Sequence, residues 1–132
     1  MGPNGSATFL KVVLVWAGIV SIVYGLGFFF LPGTLAALGG GRPVDFGWLR
    51  WPGAWLIALA IGNGLVVRNP AKQGPYVTML AVGTSLNCLA LLYSWMAQEY
   101  SGAPWFIVTP TIITLVNSVL LWWARSRAKD IL

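Results

Sequence analysis

The side chains able to do chemistry are few, and amides lead them. Asn63, Asn87 and Asn117 each fall inside a long hydrophobic run, with Thr84, Ser85, Cys88, Thr111, Thr114 and Ser118 spread among them. An amide in hydrocarbon needs a partner or water. Asn63, Asn87, Asn117 and Thr114 are therefore candidate intramembrane polar contacts, either as glue between helices or as the polar lining of a path or binding site. Asn87 and Asn117 are placed to bond each other across an antiparallel helix pair, for about 0.6–2 kcal/mol. Harder chemistry lacks its groups. The chain has no histidine, which removes the usual axial ligand of haem, the common ligand of zinc and the usual general base. Cys88 is the single cysteine, so no internal disulfide and no thiolate cluster can form. The three acids, Asp45, Glu99 and Asp130, lie in expected loops or ends, and no carboxylate pair enters a run. An enzyme would have to work with Tyr24, Tyr93, Cys88 or interfacial Arg50, Asp45 and Glu99. The chain reads as non-enzymatic, with no catalytic residue and no metal site.

The elements that must position these groups are set by composition. Of 132 residues, 58% are hydrophobic and 8% charged, against about 45–50% and 25% in soluble domains. A span needs about 20 apolar residues, so the chain accommodates three or four spans and no separate soluble domain. The hydrophobic runs predict helices at about 9–31, 48–67, 76–97 and 104–124, in a single transmembrane domain over 1–132. Pro32 and Gly33 close the first run, which reads as a retained helix rather than a cleaved signal because further spans follow. Gly39 to Gly47 reads as a loop, Arg68-Asn69-Pro70 closes the second run, and Gly74-Pro75 opens the third. Pro110 falls inside the fourth, where its missing N–H predicts a kink. Short second and third loops make neighbouring helices antiparallel. The fold class expected is an all-α polytopic membrane protein, a four-transmembrane-helix antiparallel bundle.

Charge orients the bundle. An even number of spans puts both termini on one side together with the second loop. That side carries Lys11, Arg68, Lys72, Arg125, Arg127 and Lys129, and the other Arg42 and Arg50. Basic residues mark the cytoplasmic face, so both termini are expected in the cytoplasm and the chain in the cell inner membrane. The net charge of +5 then reflects topology, and nucleic acid is excluded as a partner for want of a soluble basic patch. Aromatic residues form two belts at headgroup depth: Phe28 to Phe30, Trp48, Trp51, Trp95, Tyr100, Trp105 and Phe106 on one side, and Phe9, Tyr76, Trp122 and Trp123 on the other.

Helices in lipid pack through small residues and hydrogen bonds. Gly18, Ser21 and Gly25 share one face of the first helix. On the second, Trp48, Trp51 and Trp55 lie within about 60° of one another, and the stripe continues as Ala58 and Gly62, with Arg50 beside the tryptophans and able to stack on one. Packing and belt formation account for much of this. Trp55, about 10 Å deeper than Trp48, makes Trp48, Trp51, Trp55, Ala58, Gly62 and Arg50 the candidate face for a partner subunit or a ring-shaped ligand.

The first half of the chain resembles DoxX-like small four-helix bacterial membrane proteins. The likeness rests on Leu31-Pro32 through Leu38-Gly39, on Arg50-Trp51-Pro52-Gly53-Ala54 leading into Ala58 to Gly62, and on Arg68-Asn69-Pro70. It implies a four-helix bundle with a small accessory role, sometimes linked to redox complexes, and carries no catalytic residue. The expected function is that of a small non-catalytic subunit packing against a larger membrane complex, photosynthetic or respiratory, with lipid, quinone or carotenoid contacts and other membrane subunits or its own copies as partners. The alternative is a homo-oligomeric channel or transporter for a neutral or hydrophobic solute. A coupled carrier needs an ionisable group at mid-span, and none stands there.

Overall fold

In a computed structural model, which describes residues 3–40, 46–99 and 102–132, the chain is built from helices. They are α1 (Pro3–Phe30), α2 (Pro32–Leu38), a 3-10 turn (Phe46–Leu49), α3 (Arg50–Arg68), α4 (Gly74–Met96) and α5 (Pro104–Arg127). Four of them, α1, α3, α4 and α5, are long and apolar enough to cross a membrane.

The helix ends differ from the sequence expectation in ways proline explains. Pro32 follows the end of α1 as expected, but it also stands in the first turn of a further helix, α2, where its lost N–H would have gone unpaired anyway. Pro75 and Pro104 start α4 and α5 in the same way. α1 begins six residues before the expected Phe9, α3 starts at Arg50 after the 3-10 turn rather than at Trp48, and α5 continues through Pro110 and on to Arg127. Arg42, Asp45 and Tyr100 lie outside the described residues.

The bundle consists of two antiparallel pairs. α1 packs along α3, α4 packs along α5, and α1 meets α5 between them. The buried core lies towards one end. Leu10, Val13 and Leu14 of α1, Val66 of α3, Val77, Leu80 and Ala81 of α4, and Leu121 and Ala124 of α5, continued by Ala128, form one cluster. All belong to the half of each helix nearest the chain termini and the α3–α4 turn. Phe9 stacks edge-on against Trp123 there, with centroids 5.0 Å apart. At the opposite end Ala103 N–H donates to the Gly39 carbonyl at 2.8 Å.

The α1–α3 pair crosses with its backbones nearly touching. A Cβ on Gly53 would lie 2.7 Å from Phe29 N and 3.0 Å from Gly25 O, and one on Gly25 would lie 3.0 Å from Ile57 N. Small residues permit such an approach, which lipid-embedded helices use in place of hydrophobic burial. Arg50 fastens the same crossing. Its Nη1 donates to the Phe29 carbonyl at 2.7 Å, putting a cation on the negative end of α1, which has no basic residue in its own last turn.

α4 ends in a turn of defined geometry. Gln98 N–H donates to Trp95 O and Glu99 N–H to Ser94 O, the paired bonds of a Schellman cap. Gln98 occupies the left-handed position at φ 53°, which costs an L-residue about 1–2 kcal/mol.

Two substitutions test this account. Gly53→Ala should lower stability by about 1–3 kcal/mol, as overpacking does, whereas Gly64→Ala, whose Cβ meets nothing within 4 Å, should be tolerated. Gln98→Gly should stabilise by about 0.5–1 kcal/mol, the left-handed strain relieved less the entropy glycine loses. Cys88 is alone and buried, so its reaction with a thiol-specific fluorophore during heating in detergent reports unfolding in each case.

Candidate functional site

Most polar groups within the spans are turned onto backbone. The hydroxyls of Thr78, Thr84, Ser85 and Thr111 donate to carbonyls four residues earlier, at 2.7–2.9 Å. Thr114 donates to Thr111 O at 3.0 Å. These bonds satisfy a hydroxyl within its own helix, so Thr114 is spent on α5 and spans to no neighbour. Between α4 and α5 the polar glue is hydroxylic. Ser85 and Ser118 Oγ atoms lie 2.6 Å apart, and Trp122 Nε1 donates to Ser85 Oγ at 3.1 Å. With its own hydrogen given to Ala81 O, Ser85 accepts from both. The Cys88 thiol faces Thr111 O at 3.9 Å.

The expected Asn87–Asn117 bond is not made. Asn117 is buried and its Oδ1 has no partner, whereas Asn87 is exposed on the outer face of α4. The two lie on helix faces turned different ways, a rotation that nearly uniform apolar helices conceal in the sequence. Asn63 is held instead. It is 1% exposed, and its Oδ1 accepts from the Tyr76 hydroxyl at 2.9 Å; the same hydroxyl reaches Leu59 O at 3.1 Å. Its Nδ2 is buried without a partner, close under Gly18, whose Cβ, if present, would lie 3.8 Å away. Tyr76 read only as a belt residue in the sequence. Its importance depends on Gly62, because a Cβ there would collide with the tyrosine ring and hydroxyl.

This divides the predicted aromatic stripe. Gly62, at its inner end, is covered by Tyr76 within the chain. Trp51 and Trp55 are 78% and 73% exposed, and Ala58 is exposed in line with them. The side chain of Trp48 lies outside the described residues. Among the described residues Arg50 stacks on no tryptophan; its Nη1 is given to Phe29 O. α3 is the least enclosed of the long helices, with 17% of its most apolar stretch buried against 28% in α1 and α5.

Two hollows remain. One, of about 380 Å³, runs between α1 and α3 past Val15, Gly18, Ile19, Ile61, Asn63 and Gly64, and is almost wholly apolar. The other, of about 460 Å³, lies at the basic end beside Thr78, Arg125 and Lys129. Among the described residues no group of three His, Cys, Asp or Glu side chains gathers as a metal site would need. Compared with known proteins, the chain matches no family model, no curated protein and no solved structure.

Tyr76→Phe keeps the ring on Gly62 but removes both bonds, and should cost about 0.6–2 kcal/mol. Asn117→Leu, which removes a buried acceptor that has no donor, should be neutral or stabilising. Thermal unfolding of the two variants side by side checks both outcomes.

Proposed function

We propose that this protein is a small, non-catalytic membrane subunit, multi-pass in the cell inner membrane with both termini cytoplasmic, which packs through its outer faces against other membrane subunits. The observation that carries this is Asn87. It lies 13 residues beyond the start of the 23-residue α4, about 20 Å along the helix. That is mid-span depth, and the residue is exposed with no hydrogen-bond partner among the described residues. An amide left unpaired in hydrocarbon costs about 2–7 kcal/mol, so a helix from outside the chain is its natural partner. Gly83 and Ala90, one turn to either side on the same exposed face, leave room for that helix to approach closely.

The Trp51–Trp55–Ala58 face of α3 supplies a second surface of the kind that meets subunits or flat ligands. The apolar groove between α1 and α3 suits a lipid, quinone or carotenoid tail. The DoxX-like motifs around Pro32, Arg50–Ala54 and Arg68–Pro70 accord with an accessory role, and the six-to-two distribution of basic residues supports the orientation. A homo-oligomer carrying a neutral or hydrophobic solute is the competing assignment, and Asn87 also favours it: an amide is donor and acceptor at once and can pair with its own copy.

Asn87→Leu decides the matter. The variant should keep its thermal stability in detergent, yet leave the complex seen by native mass spectrometry of gently solubilised membranes. A wild-type chain that runs as a monomer, or a variant that assembles as the wild type does, defeats the proposal. Loss of a complex containing only this chain moves the assignment to the homo-oligomer.

A further inference from the structure

At the basic end of the bundle, the hollow of about 460 Å³ is lined by Gly74, Pro75, Thr78, Arg125, Lys129 and Leu132. It combines three features. First, it holds two cations that lack a carboxylate partner among the described residues. Second, one of them is fixed: Arg125 Nε donates to Thr78 Oγ1 at 2.6 Å, and the guanidinium lies over the Trp122 ring, 5.8 Å from its centroid. The Thr78 hydroxyl is itself anchored on Gly74 O at 2.7 Å, so it serves as acceptor to Arg125. With Nε engaged there, the two Nη groups are left to meet an anion, in the forked geometry that matches phosphate oxygens. Third, the depth is interfacial. Thr78 stands one turn inside α4 and Arg125 two residues before the end of α5, the level at which a membrane-spanning helix passes from hydrocarbon into headgroups. Pro75 and Leu132 give the hollow an apolar side.

We infer that this hollow is a binding site for the phosphodiester headgroup of an anionic phospholipid. Arg125 engages the phosphate with a guanidinium already oriented by Thr78 and Trp122, and the exposed Lys129 adds charge at the rim. The glycerol end of the lipid lies on Pro75 and Leu132. A lipid rather than a soluble anion is the fitting occupant, because it is confined to the depth at which Arg125 sits, where basic pockets between helices recognise anionic headgroups. The main chain of Leu132 forms the wall beside Gly74. Asp130, the one acid in this part of the chain, does not line the hollow. The site needs no protein partner and is independent of the assembly proposed above.

The test uses the full chain in nanodiscs of phosphatidylcholine doped with phosphatidylglycerol, released into native mass spectrometry to count retained lipid, with Cys88 reactivity on heating as a second readout. The wild type should retain phosphatidylglycerol in preference to phosphatidylcholine and be stabilised by it. Lys129→Gln, an exposed change that leaves the fold intact, should reduce that retention at least threefold, and Arg125→Gln at least tenfold. Arg125→Lys, which keeps the charge but loses the fork, should fall between. Lys72→Gln, which removes a charge from the same end but outside the hollow, should retain lipid as the wild type does. Three results overturn the assignment: equal retention of the two lipids, a Lys129→Gln variant indistinguishable from wild type, or protection by inorganic phosphate equal to that given by phosphatidylglycerol.

Discussion

A polar group carried into hydrocarbon has to be met, and this constraint organises the bundle more than burial does. The exposed apolar surface costs nothing in lipid, so Val12, Ile19, Ile61 and Leu89 can face outward without penalty. Hydroxyls cannot be treated so freely. Thr84 and Thr111 bend back onto their own helices, Ser85 and Ser118 meet across the α4–α5 seam, and Tyr76 reaches over Gly62 to Asn63. The last two bonds fix the rotation of one helix against another, a task that side-chain packing in a water-soluble core would share. Asn63 Nδ2 and Asn117 Oδ1 stay unpaired inside the bundle, whereas Asn87 is exposed on the outer face of α4, where a group from outside the chain can meet it.

The same economy explains why the two pairs are joined unevenly. All four long helices converge where Leu10, Val66, Val77 and Leu121 interlock. Beyond that level the α1–α3 crossing rests on Gly25 and Gly53, and the α4–α5 seam on its own contacts. α3 thereby becomes an edge, held to its neighbour by backbone proximity and by Arg50, with its tryptophans directed away from the bundle. Conformational stiffness is thus concentrated at the basic end, where the fixed Arg125 also sits.

Much of the architecture was legible in the sequence because lipid is a strict solvent. Runs of about 20 apolar residues between charged or proline-bearing turns have few alternatives, so four spans and their antiparallel order follow from Pro32, Arg68-Asn69-Pro70 and Gly74-Pro75. The ends were less legible. Pro32 both stops one element and starts the next, Pro104 starts α5, and the basic residues from Arg125 to Arg127 prolong α5 because a cation suits the end of a helix. Helix rotation was the least legible property. A helix apolar on every side carries little periodic signal, so nothing in the spacing of Asn87 and Asn117 told which would be turned inward. Arg50 had two plausible partners, ring and carbonyl, and only the proximity of Phe29 decides between them. Tyr76 gave no sign of its role because the glycine that receives it lies 14 positions earlier in the chain.

The adjacency of α1 and α5 bears on biogenesis. Helices that pair with their sequence neighbours can be completed as each hairpin leaves the insertion machinery, but α1 must wait for the last of the four spans before the seam through Leu10 and Leu121 closes. In that interval its inner flank, Leu10 included, is in contact with lipid or with a chaperoning helix. Assembly of this small bundle is therefore timed by its most distant contact, and a slow or interrupted ribosome would leave a two-helix intermediate with that flank uncovered.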